Sequence, residues 1–231
     1  MTKTFRTLAL ALAGAFALSA CGALSGLIPD QTISGGVLGV AGGVDVTLEA
    51  EGAGGAALAP AAGADATVWV GTVTGSTTID AIAELPSFVN ASTITETVAL
   101  GNSIVVTHPG TDTGPFTVTG LAVGGTVTIG GTAYALPAGI GVTGLSVLFA
   151  DPLCVADGGN QVCTYTTASN VPEVEVALAA NQVAAFSALL KGSGGEVSAS
   201  LTVTVTLAGP GLPDDASVVV TLESLDAVVS F

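Results

Sequence analysis

The feature that most limits the possible folds of this chain is a strict alternation of apolar and hydroxyl side chains near its C-terminal end. Between Leu201 and Leu207 every second residue is Leu or Val, and every residue between them is Thr. Because successive side chains of a strand point to opposite faces, this period of two predicts a strand with one buried face. The β-strand is therefore the expected building unit.

The same alternation recurs along the chain at residues 44–49, 67–74, 93–100, 103–108, 173–178 and 217–223. Gly101-Asn102 separates two of these stretches and is a dipeptide suited to positive φ, which predicts a hairpin there. The only tryptophan, Trp69, is expected to anchor the core. Between Asp112 and Asp151 no residue is charged, and glycine pairs divide the stretch into pieces typical of buried strands, at 123–129, 132–136 and 142–149.

One stretch changes its period. Apolar residues at helical spacing predict a short helix near residues 181–190, with Asn181 capping its start and Lys191-Gly192 ending it. Many short strands with frequent turn signals and a single helix predict an all-β fold, an antiparallel β-sandwich of immunoglobulin-like character. It occupies residues 37–231, as one large domain or two small ones.

Two of the three cysteines, Cys154 and Cys163, are close together in the sequence and lack the C-x-x-C spacing of a redox-active pair. An even pair in an exported chain is typical of a disulfide. The third cysteine, Cys21, belongs to a different pattern.

The N-terminal residues have the three parts of a secretory signal. Lys3 and Arg6 precede an uncharged run from Leu8 to Leu18, which is shorter than the roughly 20 residues of a membrane-spanning helix. Cleavage after Ala15-Phe16-Ala17 would make this an ordinary signal peptide. Residues 21–36, without periodicity, are expected to form a flexible tether.

The end of this run, Leu18-Ser19-Ala20-Cys21, resembles the lipobox of bacterial lipoproteins at all four positions. The resemblance covers only the first 21 residues. It implies that residues 1–20 are a signal peptide that is removed, and that Cys21 becomes the first residue of the mature protein and carries a diacylglycerol and a fatty acid such as palmitate. Several acyl chains hold a protein stably on a membrane. Gly22 is not the Asp of the enterobacterial sorting pattern, so the resemblance allows the outer membrane.

Charge limits the partners of the mature chain. Without its first 20 residues the chain has Lys191 as its one cation against 18 acidic residues, a net charge of −17. Nucleic acids and anionic headgroups both require basic patches, so neither is an expected partner. The expected membrane contact is the lipid on Cys21.

Asp112-Thr113-Gly114 matches the tripeptide around the catalytic aspartate of pepsin-like and retroviral-type proteases. The flanking residues depart from that pattern and no second copy occurs, which favours a turn between strands. His108 is the only histidine, and no G-x-S-x-G elbow accompanies it. No catalytic residue is therefore assigned, and the chain is expected not to be an enzyme.

Calcium is the only cofactor for which the chain offers candidates. Asp157, Asn160, Asp214 and Asp215 lie in oxygen-rich loops, and Ca²⁺ binds carboxylate and carbonyl oxygens. No EF-type series is present, so ordinary solvated turns are favoured and no metal ligand is assigned. The sequence leads to a lipid-anchored cell-envelope protein, a non-enzymatic structural or interaction module. The alternatives are a surface lipoprotein that binds a ligand, a glycan or Ca²⁺, and, behind these, a hydrolase.

Overall fold

The computed structural model describes residues 29–40, 42–51, 66–82, 89–108, 114–137, 140–209 and 216–231. These residues form eleven strands and one helix: β1 (Gln31–Ile33), β2 (Val44–Glu51), β3 (Ala66–Ile79), β4 (Thr93–His108), β5 (Phe116–Ile129), β6 (Thr132–Ala135), β7 (Gly141–Asp157), β8 (Asn160–Thr166), β9 (Glu173–Ala177), α1 (Ala180–Lys191), β10 (Gly195–Ala208) and β11 (Ser217–Ser230). The prediction of an all-β antiparallel fold with one short helix is confirmed.

The strands form two sheets, which β2 and β7 connect. The first sheet is built around the β4–β11 pair, with β8 and β9 beside β4 and β1 beside β11. The second is built around β10, between β3 and β5. β2 pairs first with β11 and then with β3, and β7 pairs first with β5 and then with β8. Followed from β11 through β2, β3, β10, β5, β7, β8 and β4, the pairings therefore return to β11. Every pairing is antiparallel.

β7 passes from one sheet to the other at a bulge. Its register on β8 shifts between Ala150 and Leu153, and Asp151 has a φ of 53°. Asp tolerates this left-handed conformation better than most residues, and the adjacent Pro152 has no N–H to give to a strand ladder. Bulges of this kind turn a strand through the corner of a sandwich.

The inner faces of the two sheets share one hydrophobic core. In β10 the alternation seen in the sequence places Leu201, Val203 and Val205 fully inside. Trp69 is buried as expected, and its indole N–H donates to Thr67 Oγ1 at 2.8 Å. The tryptophan therefore fills the core without leaving its N–H unsatisfied.

The hairpin predicted at Gly101-Asn102 is wrong. Residues 93–108 form one continuous strand, and the register of its partner β11 shifts between Val220 and Leu222 opposite this dipeptide. A Cβ on Gly101 would lie 3.0 Å from Thr221 Cβ, so the glycine allows close approach of the two strands. Gly124-Gly125 likewise lies inside β5, whereas Gly130-Gly131 forms the predicted turn, with φ values of 57° and 82°.

α1 extends over Ala180–Lys191 and confirms the predicted helix. Asn181 is not its cap, because the helix begins one residue earlier. The N–H of Ala179 instead donates to Gln182 Oε1 at 2.7 Å. The Gln182 amide also donates to Ala135 O, and Ser187 Oγ accepts the N–H of Ala91. These bonds fix the helix across one end of the sandwich, between chain segments from both sheets.

The range predicted as a tether, residues 21–36, contains a short strand in the part that the structure describes. Gln31–Ile33 forms β1 and pairs with Ala227–Val229 at the end of β11. Pairing with β11 gives the backbone of these residues hydrogen-bond partners that an isolated segment lacks. A strand of three residues is too short to show an alternation in the sequence, so this strand was not predicted. Residues 21–28 and the signal at 1–20 lie outside the described residues. In the described part of the chain no helix is long and apolar enough to cross a membrane.

Candidate functional site

The predicted disulfide is present and joins two neighbouring strands. Cys154 on β7 and Cys163 on β8 lie directly opposite each other, with Cα atoms 4.0 Å apart and sulfur atoms 2.08 Å apart. So short a Cα spacing belongs to the non-hydrogen-bonded positions of an antiparallel pair. The disulfide therefore locks a β-hairpin.

The turn of this hairpin is Gly158-Gly159, with φ values of 56° and 95°. Two consecutive residues with positive φ match the right-handed twist of the adjoining strands, and glycine adopts this conformation without strain. Asp157 and Asn160 form the last strand pair before the turn. We call residues 153–163 the disulfide hairpin.

The disulfide hairpin exposes its β7 strand to solvent. Every residue from Leu153 to Asp157 is exposed, Cys154 included, whereas Cys163 of β8 is fully buried. Leu153 and Val155 are 72% and 61% exposed, and the cross-strand partner of Val155 is Val162. Single exposed apolar residues are ordinary, but adjacent ones on a rigid hairpin are typical of a contact surface.

One edge of the hairpin lacks a strand partner within the described residues. Ala150–Asp157 pairs with β8 on one side, while β5 pairs only with the earlier part of β7. An unpaired strand edge offers N–H and C=O groups to an added strand. The exposed apolar side chains and this edge occur on the same eight residues.

The hairpin and the N-terminal strand lie at opposite ends of the first sheet. β11 begins at Ser217, opposite Thr107, and β4 then ends at His108, opposite Gln161 of the hairpin. β1 pairs with the other end of β11, at Ala227–Val229. Twelve residues of strand separate Ser217 from Val229, which is about 40 Å.

The histidine and the Asp-Thr-Gly tripeptide do not form a described catalytic site. His108 is buried at the end of β4, and Asp112 lies outside the described residues. The N–H of Gly114 donates to the hydroxyl of Tyr165 at 3.1 Å, and the Tyr165 ring occupies the space that a Cβ on Gly114 would need. This glycine is therefore explained by packing. Tyr165 also contacts Phe116 edge to face, with ring centroids 4.9 Å apart.

The calcium candidates are only partly described. Asp157 and Asn160 face each other across the glycine turn and are exposed, while Asp214 and Asp215 lie outside the described residues. Within the described ranges, no group of three or more His, Cys, Asp or Glu side chains could hold a metal ion. Two side chains at a turn do not make up the six to eight oxygen ligands of Ca²⁺.

A residue that the sequence analysis missed is Glu96, which is only 2% exposed. Its Oε2 accepts the N–H of Val37 at 2.5 Å and that of Leu38 at 3.0 Å, and its Oε1 bonds to Ser224 Oγ. Burial raises the pKa of this carboxyl above its usual 4.5, and the hydrogen bonds from Ser224 and the two N–H groups partly oppose the rise. The alternation of Ile94, Glu96 and Val98 is the sequence signal that marks it as inward-facing.

No protein-family model matches the sequence, and no curated protein matches it. Among solved structures, a chain of infectious bursal disease virus, Gx strain, aligns with 87% of this chain at 13% identity and a TM-score of 0.14. The alignment spans 40% of that viral chain. A likeness at this score carries no information about fold or function.

Proposed function

We propose that this chain is a lipid-anchored protein of the bacterial cell envelope, whose β-sandwich is a non-enzymatic interaction module. The anchor is the lipid on Cys21, on the exported face of the cell membrane or the outer membrane. The support for it is the match of Leu18-Ser19-Ala20-Cys21 to the lipobox, behind a basic and then apolar N-terminal run. Lipid chains on one residue hold a protein at the membrane without a spanning helix.

The observation that carries the interaction role is the opposite placement of β1 and the disulfide hairpin along the first sheet. A chain attached through its N-terminal end would present the hairpin on the far side, about 40 Å away along the strands. Leu153 and Val155 would then face the periplasm or the cell exterior. The net charge of −17 left after signal removal repels anionic headgroups, which also favours a body held off the membrane.

The first experiment tests the anchor. Cells that express the wild type are labelled with a palmitate analogue, alongside the Cys21→Ala variant. A variant without Cys154 and Cys163 serves as the matched control for cysteine loss. We expect label on the wild type and the control, and none on Cys21→Ala. Equal labelling of all three proteins, or no labelling of any, would refute the anchor.

The second experiment tests the contact surface in the same cells. A photo-crosslinking amino acid replaces Leu153 in one strain and Leu225, 44% exposed on β11, in the control strain. We expect a discrete envelope-protein adduct from position 153 alone, and its loss when Val155→Ser is added. The same adduct from both positions, or none from position 153, contradicts a contact through the hairpin.

A further inference from the structure

We propose that a proton-operated latch holds residues 34–40, the segment after β1, between the two sheets and loosens as the pH rises. The latch consists of Glu96, Ser224 and the backbone N–H groups of Val37 and Leu38. We call these four residues the Glu96 latch. The inference is independent of the lipid anchor and of the hairpin contact.

The segment that the latch holds runs from the first sheet to the second. Gly36, with a φ of 73°, packs against the side chains of Glu96 and Ser224 of the first sheet. Gly39, also with a φ of 73°, packs against the backbone of Gly75 and Ser76 in β3 of the second. The apolar residues between and after these glycines, Val37, Leu38 and Val40, are completely buried. The segment is thus an internal part of the core that no strand pairing secures.

Glu96 provides a buried side-chain connection to this segment, in addition to the backbone hydrogen bond from Ser224 N–H to Val40 O at 3.3 Å. It lies on β4, opposite Val176 of β9 on one side and Ala227 of β11 on the other. Oε2 accepts both backbone N–H groups, so its lone pairs are used. Oε1 is the oxygen that remains for a proton, and its neighbour is Ser224 Oγ.

The hydrogens can be counted at Ser224. Its hydroxyl has one hydrogen, and Oγ lies within bonding distance of both Glu96 Oε1 and, at 3.1 Å, Leu225 O. With Glu96 protonated, Oε1–H donates to Ser224 Oγ, which donates in turn to Leu225 O, and every group is satisfied. With Glu96 ionised, the serine hydrogen bonds to the carboxylate instead. The hydrogen bonds can thus adjust to either form of Glu96, and it is the burial of the carboxyl, 2% exposed, that favours the neutral acid.

The charges around the latch do not favour the ionised form. On β11 the neighbouring carboxylates are Glu223 and Asp226, on β9 they are Glu173 and Glu175, and all four are exposed. The described parts of β3 and of the segment 31–40 have no charged residue. Lys191, the one Lys or Arg among the described residues, donates to Asn90 Oδ1 at 2.7 Å. Glu96 thus has no cationic partner in the elements that pack on it.

The direction of the pH effect follows from proton binding. When the segment opens, water reaches Glu96 and its pKa returns toward 4.5, whereas burial in the closed state raises the pKa. Between these two values the closed state binds more protons than the open one. The free energy needed to open the segment therefore falls as the pH rises from about 4.5 to the Glu96 pKa of the closed state. Above that pKa it no longer changes with pH.

Amide hydrogen exchange tests the latch on the folded wild-type protein. The protection factors of Val37 and Leu38, corrected for intrinsic exchange, are measured from pH 4.5 to pH 8. We expect them to fall by up to about tenfold per pH unit in the wild type and to stay level in Glu96→Gln. Asp226→Asn is the matched control, because that exposed carboxylate accepts the N–H of Gly35 at 3.1 Å, and it should keep the wild-type slope.

Protection that is level in the wild type, or that falls equally in Glu96→Gln, overturns the latch. If Glu96→Gln does not fold, the carbon-13 shift of the Glu96 carboxyl in the wild type decides. A midpoint above 4.5 that coincides with the loss of protection supports the latch. A midpoint at or below 4.5 overturns it.

Discussion

Removing the disulfide should destabilise the whole sandwich by a calculable amount. Cys154 and Cys163 are nine positions apart, so the cross-link closes a loop of about ten residues. The chain-entropy relation for such a loop gives about 2.7 kcal/mol at 25 °C, through restriction of the unfolded chain. For a chain of this size that corresponds to a fall in Tm of about 5–10 °C. This value is an upper estimate, because residual structure in an unfolded chain reduces the entropy that a cross-link removes.

The measurement is urea unfolding of the oxidised and the reduced wild type, followed by tryptophan fluorescence. Reduction leaves both sulfur atoms in place, which separates the cross-link from the packing of Cys163, a fully buried residue. The variant with Cys154→Ser and Cys163→Ala should have the stability of the reduced protein, less a small cavity cost, and no response to reductant. Equal stability of the oxidised and reduced wild type would refute the reasoning, as would a reductant effect on the variant without Cys154 and Cys163.

Four further substitutions test the packing and the buried carboxyl by urea unfolding, followed by circular dichroism because Trp69 is the only tryptophan. Gly114→Ala should lower the free energy of unfolding by about 1–3 kcal/mol, because the new Cβ meets the Tyr165 ring. Tyr165→Phe should lower it by about 1 kcal/mol, because the hydrogen bond to the N–H of Gly114 is lost. An unchanged stability of Gly114→Ala would contradict this packing. Trp69→Ala should cost about 3–5 kcal/mol, and less than 1 kcal/mol would mean that the indole is not a core anchor. The free energy of unfolding of the wild type should fall as the pH rises above 4.5, by about 1.4 kcal/mol for each unit by which burial raises the Glu96 pKa. Glu96→Gln should lack this fall. If the variant has the same pH profile as the wild type, Glu96 is not its cause.

The period-two alternation was sufficient to find most strands. It marked β2, β3, β10 and β11 because each has one face in the core and the other toward solvent or a polar neighbour. The disulfide and the helix were also predictable, since a close cysteine pair and a change of period are both local signals. The extent of each element was less certain, as Gly101-Asn102 demonstrates.

Gly101-Asn102 has the composition of a turn, and in isolation such a dipeptide favours one. The structure instead uses the missing side chain of Gly101 to bring β4 against Thr221 of β11. A strand partner more than 100 residues away therefore overrides the local preference. The same limit applies to Gln31–Ile33, whose strand conformation depends on Ala227–Val229.

Only part of the disulfide hairpin's contact surface could be predicted from the sequence. The sequence identified Cys154 and Cys163 as a pair, but it did not indicate that β7 would turn at Asp151 and leave Leu153 and Val155 exposed. Exposure depends on which strands pair with which edge, and that is set by contacts distant in sequence. Asp157 and Asn160 face each other only because the two strands meet in that register.

The sequence by itself determined the local geometry of this protein: strands that alternate, a glycine-rich set of turns, one helix, one disulfide and a lipobox-like N-terminal end. Only the tertiary structure decided how the sheets connect through β2 and β7, which end of the sandwich holds the hairpin, and how Glu96 comes to lie against Val37 and Leu38. The physical reason is that backbone conformation is fixed by neighbours along the chain, whereas burial is fixed by neighbours in space.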